Sequence, residues 1–548
     1  MFARVKKSGR YEYLQIVHNV RVEGHVRQQV LTTLGRLDLL KETGQLDALL
    51  ASCAKFSEHA AVLNAARQDN VQAGHAVRLG PPLVFGRLWQ ELGVPQVLDS
   101  LLHGRKFEFP VARAVFLTVL HRLLVSGSDR AAERWCRRYA LEGIEEIELQ
   151  HLYRAMGWLG EPLPADEQPT DQRLGPRCRK DRIEELLFAR RRDLFSGLQV
   201  AFFDTTSLYF EGEGGETLGQ HGYSKDHRPD LKQMVVGVVL DERGWPLCCF
   251  LLPGNTADIT LLVPVVDQLR ARFGIERVCV VADRGLISAE TIRELEARKW
   301  QYILGARLRS VKEIREQVLS RGGRYHVVQG PRENSRDPSP LKVKEVWVDQ
   351  RRYIVCHNEE QATKDRHDRE AVLKKLADQL EHGPKSLVGN KGFRKYLRAD
   401  GEFTIDPEKV AAEERFDGKW VLRTNTELTP SAAALRYKDL LQVESIFRSL
   451  KSLLDTRPIY HRCDDTIRGH VFCSFLALLL MKELHSRLES RGWGNVEWQP
   501  LLDDLDDLQE LTVTASGKSY VVRTAPRGDA GKAIRAAGVA LGPAIRHA

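Results

Sequence analysis

Three carboxylates in this chain sit where a side chain can be aimed from a rigid base. Asp204 follows the apolar run Leu198–Phe203, and Asp283 follows Arg277–Ala282. Both read as the C-terminal ends of buried strands, the edge at which α/β folds expose polar groups. Glu444 lies in a helical stretch after Thr429-Pro430, with Tyr437, Arg448 and Lys451 at offsets of −7, +4 and +7. At about 100° per residue, those offsets fall within roughly 40° of one helix face. An acid, a phenol and two cations therefore share a stripe. Carboxylate oxygens suit a hard divalent cation, and cations beside them suit phosphate. Taken singly, each Asp also reads as a strand-end cap, and Glu444 with Arg448 as a solvated i,i+4 pair. Reference pKa values of about 3.9 and 4.3 make all three acids ionised at pH 7.

Other clusters carry less. Gly212, Gly214, Gly215, Gly219 and Gly222 lack the Lys-Ser/Thr spacing of a phosphate-cradling loop and read as a mobile hairpin loop. Its basic end, Lys225, His227 and Arg228, is a candidate for DNA contact. His461, Cys463 and His470 are zinc-type ligands, but no second pair at finger spacing accompanies them. Trp300, Trp347 and Trp420 read as core or sheet residues, with stacking on a flipped base as the alternative.

Tyr437, Glu444 and Lys451 at seven-residue steps resemble the Tyr-x2-Arg-x3-Glu-x6-Lys signature of insertion-sequence DDE transposases. Asp204-Thr205-Thr206-Ser207 and Ala282-Asp283-Arg284-Gly285 resemble that family's first and second catalytic aspartate motifs. Gly254-Asn255-Thr256 between them is also similar. Asp204 and Asp283 are 79 residues apart and Glu444 follows after 161, which leaves room for the β-rich insertion of this group. The resemblance covers about 198–470 well and the first 38 residues loosely. It implies an RNase H-like catalytic core holding two Mg²⁺ ions, with Mn²⁺ as a substitute. Asp204 would bridge both ions while Asp283 and Glu444 hold one each. Tyr437, Arg448, Lys451, Lys225, Arg228 and Arg284 would contact DNA. Water would first cut at the element's terminal inverted repeats, and the freed 3′-hydroxyl would then attack, a hairpin intermediate being usual for the group. One position departs: Leu440 stands where the signature has Arg, so Arg448 or Lys438 would have to supply that phosphate contact.

The elements expected to carry these residues form a multidomain α/β chain. Residues 1–38 read as a basic module of short strands, and 39–160 as a helical DNA-binding region that includes a helix over Val111–Val125. Gly127, Ser128 and Asp129 are a plausible cap for the next helix. The proline-spaced stretch 161–197 reads as a linker with a basic segment: Arg177, Arg179, Lys180, Arg182 and Arg190–Arg192. Residues 198–300 then supply three meander strands, a helix and a further strand, the first part of a mixed-sheet core. A β-rich insertion occupies 301–428, with a hairpin about Asp349-Gln350-Arg351. Residues 429–485 return to the core, with one long helix from Thr429 to Leu454, and 486–548 form a basic tail suited to dimerisation or DNA contact.

Composition agrees with this class. The 548 residues are 43% hydrophobic and 28% charged, which excludes wholesale disorder, and the net charge is +8. The longest apolar run, Val471–Met481, falls short of the roughly 20 residues of a membrane span. Nine scattered cysteines without Cys-x-x-Cys fit a reducing cytoplasm, where the protein would associate with the nucleoid. The expected partners are duplex DNA with terminal inverted repeats, target DNA and a second copy of the chain when the ends are synapsed, with no membrane. The alternatives are a non-catalytic DNA-binding protein derived from a transposase and a hydrolysis-only RNase H-like nuclease.

Overall fold

The computed structural model describes residues 1–22, 25–54, 71–191, 200–275, 278–332, 334, 337–381, 391–400, 402–515 and 518–548. Arg192, Leu198, Gln199 and Arg277 from the sequence reading lie outside the described residues. The chain divides into two units, one of Met1–Arg87, Arg137–Leu141 and Leu488–Ala548, the other of Leu88–Cys136 and Glu142–Arg487.

The first unit opens with an antiparallel sheet of β1 (Phe2–Ser8), β2 (Tyr11–Val22) and β3 (His25–Arg36). The strands expected over residues 1–38 are present, and two of them run to 12 residues. The unit's second sheet begins with β4 (Val71–Arg78).

The second unit is built on one nine-stranded mixed sheet. β5 (Val200–Tyr209), β6 (Gln233–Asp241) and β7 (Pro246–Pro253) form an antiparallel meander. Their Val-, Leu- and Phe-rich sequences read as continuous apolar runs because both sheet faces are covered. The helix Leu262–Phe273, ended by Gly274 in the left-handed region, returns the chain to β8 (Cys279–Ala282), which lies parallel to β5. β9 (Gln301–Gly305) pairs parallel to β8.

The insertion adds β10 (His326–Gln329), β11 (Leu341–Val348) and β12 (Arg351–His357) to that sheet. Beyond them, β13 (Leu397–Asp400) and β14 (Glu402–Ile405) form a separate hairpin, and β15 (Lys419–Thr424) inserts between β12 and β9. The expected turn sits between β11 and β12, with Asp349 at φ 45° and Gln350 at φ 63°, the backbone of a tight two-residue hairpin. The insertion's strands thus continue the core sheet, and a cluster including Val318, Val348, Val355 and Val421 gives them their own apolar packing.

Three expectations are corrected. The stretch 161–197 is not simply a linker, because a helix covers Arg179–Arg191. Its Lys180, Asp181 and Glu184 are buried with Arg272: Lys180 pairs with Asp181 at 2.8 Å and Arg272 with Glu184 at 2.7 Å. Such charges can be buried only because they neutralise one another. Arg177, Arg179 and Arg182 are likewise paired, with Glu185, Glu161 and Glu167. Residues 486–548 are not a tail: β16 (Gln509–Ala515), β17 (Lys518–Arg523) and β18 (Ile545–His547) join β4 in a four-stranded sheet. The basic Arg546 is spent on a two-pronged pair with Glu510, at 2.6 and 2.8 Å. The single helix expected from Thr429 to Leu454 is broken. Pro430–Lys438 is capped by Thr429, Leu441–Arg448 follows, and Ser449–Leu453 widens into a π-turn. Helices elsewhere follow the sequence closely: Val111–Leu124 matches its expectation, and Ser128 accepts from the Ala131 N–H as the next helix's cap. No helix among the described residues is long and apolar enough to cross a membrane.

Candidate active site

Asp204 and Asp283 are brought together by strand register. β5 and β8 pair in parallel with Phe203 opposite Ala282, so the next residue on each strand is an aspartate. Adjacent strands lie about 4.8 Å apart. Asp204 is not at a strand end, as the sequence suggested, because Thr205–Tyr209 continue pairing with β6. The neighbour β8 stops at Ala282 instead, and that early stop opens the sheet beside Asp204.

Burial pushes the Asp204 carboxyl up to about 6, with Asp283 and Asp258 adding to the rise, while Lys225 and the Thr205 N–H oppose it. That amide donates to Asp204 Oδ1 at 2.7 Å. Asp204 is therefore largely ionised at pH 7, with a smaller margin than its reference value implied. Half-buried acids crowded in this way favour a divalent cation, and the all-oxygen donor set fits a hard one.

Tyr437 donates from its hydroxyl to Asp283 Oδ1 at 2.8 Å. Burial and Asp283 both push its phenol up, so it stays a donor. The backbone of Gly305 makes room for it, since a Cβ there would collide with the Tyr437 hydroxyl. Glu444 is exposed on the helix Leu441–Arg448, whose Val443, Ile446 and Phe447 are buried as it packs on β5 and β6. Leu440, at the position of the signature Arg, is only 6% exposed and fills the core. Among the described residues, Asp204, Asp283 and Glu444 do not appear as a tight three-ligand cluster; that spacing, within 4.8 Å, belongs to Asp129, His461 and His470.

The expected DNA-contacting cations divide into two groups. Arg448 and Arg284 are exposed. Lys225 is engaged inside the site, donating to the Thr205 carbonyl at 2.7 Å and pairing with Asp258 at 3.0 Å. Thr205 Oγ1 completes the network by donating to Asp258 at 2.9 Å. Arg228 pairs with Asp230 at 2.8 Å. Lys451 lies in the π-turn Ser449–Leu453, where the 100° periodicity that put it on the Glu444 stripe no longer holds. It pairs with buried Asp226 at 2.7 Å, and Arg457 reaches the same oxygen at 2.9 Å. Asp226, Arg457, Asp258 and Gly305 were not singled out from sequence. Asp258 alone had a signal, lying three residues beyond Gly254-Asn255.

The zinc-type residues are differently employed. His470 Nδ1 lies 2.8 Å from Arg122 Nη2, so a guanidinium already supplies positive charge beside Asp129 and His461. Burial and Arg122 hold His470 well below its ordinary pKa. Cys463 is exposed and outside the cluster. In the Gly-rich segment, the Glu216 and Thr217 amides donate to Asp464, at 3.0 and 3.2 Å, which ties the loop down. Of the tryptophans, Trp300 is 2% exposed and Trp347 is 51% exposed.

Residues 195–480, just over half of the chain, match the family profile described as Transposase DDE domain. Residues 3–66 match the N-terminal domain of the IS1634 family transposases. No curated protein sequence matches. Among solved structures, the piggyBac transposase synaptic complex with hairpin DNA aligns at 10% identity and a TM-score of 0.35, covering 78% of this chain and 79% of that one. The Mos1 transposase paired-end complex with left transposon end aligns at 12% identity and a TM-score of 0.15, covering 40% and 76%. At those scores the structural likeness adds nothing to what the family match establishes.

Proposed function

The chain belongs to the DDE transposases, and from that premise we propose that it cuts duplex DNA at its element's terminal inverted repeats and joins the ends to a target, using Asp204, Asp283 and Glu444. The observation that carries this reading is the parallel register placing Asp204 and Asp283 side by side where β8 stops. The three acids would hold two Mg²⁺ ions, for which Mn²⁺ substitutes. Bound there, the ions supply Lewis-acid charge at the attacking and leaving oxygens of an in-line displacement.

The chain's own residues do the rest. Tyr437 fixes the rotamer of Asp283 by its hydrogen bond, while Lys225, Thr205 and Asp258 brace the β5 side of the site. Exposed Arg448 and Arg284 take backbone phosphates, which sets the strand's register without reading sequence. In the first step, water adds to the terminal phosphorus and the element's 3′-oxygen leaves, taking a proton. In the second, that 3′-hydroxyl attacks a target phosphodiester and expels the target's own 3′-oxygen. Two copies of the chain acting together would hold both ends, in the cytoplasm at the nucleoid.

Asp204→Asn, Asp283→Asn and Glu444→Gln test the assignment. Each should abolish nicking and joining in Mg²⁺ or Mn²⁺ while duplex binding persists, because removing an acid lessens repulsion of phosphate. Variants that cleave like wild type would sink the site. A wild type that binds its ends but never cuts would favour a non-catalytic descendant, and one that cuts but never joins would favour a nuclease.

A further inference from the structure

We infer that one face of the N-terminal sheet is a duplex-DNA reading surface, with Lys6 and Arg21 on phosphates and Asn19 and Gln28 on base edges. This rests on the transposase reading and places recognition on strands, not on the helices of 39–160. Met1–Arg36 carries seven Lys and Arg against two Glu, a net +5 of the chain's +8. Little of the sheet is packed away: Val17, between Phe2 and Val30, is its one buried side chain among the described residues, and Lys6 and Arg21 are exposed.

Register sorts the charges by face. Arg4 lies opposite Gln15, Lys6 opposite Tyr13, and Asn19 opposite Gln28. With side chains alternating along β1 and β2, and Gln28 of β3 paired to Asn19, these residues and Arg21 share one face, and none of that face's described strand residues is acidic. Glu12 falls on the other face, paired with Lys7 at 3.6 Å.

The reading face is held in order by its own hydrogen bonds. Arg4 donates to Gln28 at 2.8 Å and to Gln15 at 3.2 Å, and Gln15 donates to Thr33 at 3.1 Å, a chain across all three strands. Asn19, Arg21 and Lys6 stand exposed around it. Twelve-residue strands at about 3.3 Å per residue reach about 40 Å, near one turn of duplex. Strands enter DNA grooves in several known readers, and amide side chains there recognise adenine. Charge complementarity thus selects duplex DNA over a second copy of this basic sheet.

The full chain should be titrated with a fluorescent duplex of about 30 base pairs, three helical turns, copied from the DNA flanking its coding region, and with a scrambled duplex. The Lys6→Ala, Arg21→Ala pair should weaken binding about tenfold and lower the log–log salt slope by about 1.8, two contacts at about 0.9 each. Lys7→Ala with Arg27→Ala removes equal charge from the opposite face and should leave the slope unchanged. Asn19→Ala with Gln28→Ala should lower the preference for the flanking over the scrambled duplex about tenfold. Equal losses from both faces, or no loss from either, would overturn the inference. So would a Lys6, Arg21 variant that changes oligomeric state while keeping DNA affinity, which would make the face a contact between copies. If wild type neither prefers nor cuts its own ends, the transposase reading fails; if it does both while the Lys6, Arg21 variant is unaffected, only this inference fails.

Discussion

Lys451 and Arg448 are three residues apart and have different jobs. Lys451 has a side chain 14% exposed and shares Asp226 with Arg457. Lys451→Ala should therefore cost about 1–2 kcal/mol of stability in urea titrations, moderated because Arg457 still holds Asp226. It should leave the salt dependence of duplex binding unchanged. Arg448→Ala should do the reverse, lowering that slope by about 0.9 with no measurable change in stability. Equal slope losses for both would show that the Asp226 pairing opens when DNA binds. Gly305 has a role set purely by space: Gly305→Ala would push the Tyr437 hydroxyl off Asp283. A displacement of about 1 Å near a reacting centre can cost 10²-fold, so kcat for end cleavage should drop by that order while duplex affinity holds. Tyr437→Phe should give a comparable loss, and an unimpaired Tyr437→Phe enzyme would show that Asp283 needs no such orientation.

Between elements, the helices Val111–Leu124 and Asp464–Glu489 are tied by polar groups buried in their contact. Arg122 reaches His470 at 2.8 Å and Ser474 at 3.1 Å. His121, one residue earlier, packs edge-on to Trp135 and keeps a buried Nε2 with no hydrogen-bond partner among the described residues. Burial and the neighbouring Arg122 hold its pKa down to about 4. The sign follows directly. Below its ordinary value of 6.5, His121 takes up a proton in the unfolded chain but not in the folded one. Stability is thus fully present above about pH 6.5 and is lost as pH falls towards 4, by up to about 3 kcal/mol from this residue. His470 is depressed in the same direction and steepens the same limb. His121→Leu should keep stability at pH 7, since it removes an unsatisfied buried nitrogen, and should flatten the fall in melting temperature between pH 6.5 and 4. An unchanged acid limb would mean that His121 is solvated in solution.

At the scale of the whole chain, the first unit is discontinuous in sequence. β4 pairs with β16, more than 400 residues later, and β16 with β17. Deleting residues 518–548 should strip hydrogen-exchange protection from β4 and β16 and leave that of β5, β6 and β8 intact. Loss of protection throughout would show that the two units fold as one. The amino-acid sequence alone determined what depends on local pattern and on motif. Continuous apolar runs marked β5 to β8, the Thr429-Pro430 cap marked a helix start, and the residues around Asp204, Asp283 and Glu444 carried the family resemblance that the profile match bears out. Tertiary structure alone decided what depends on register and on partners distant in the chain. That Asp204 and Asp283 adjoin follows from β5 and β8 pairing in parallel, which no local pattern encodes. That Lys451 faces Asp226 follows from a π-turn and a residue 225 positions away. Charge was the hardest to read for the same reason: a run such as Arg177 to Arg182 looks free until the acids that neutralise it are placed in space.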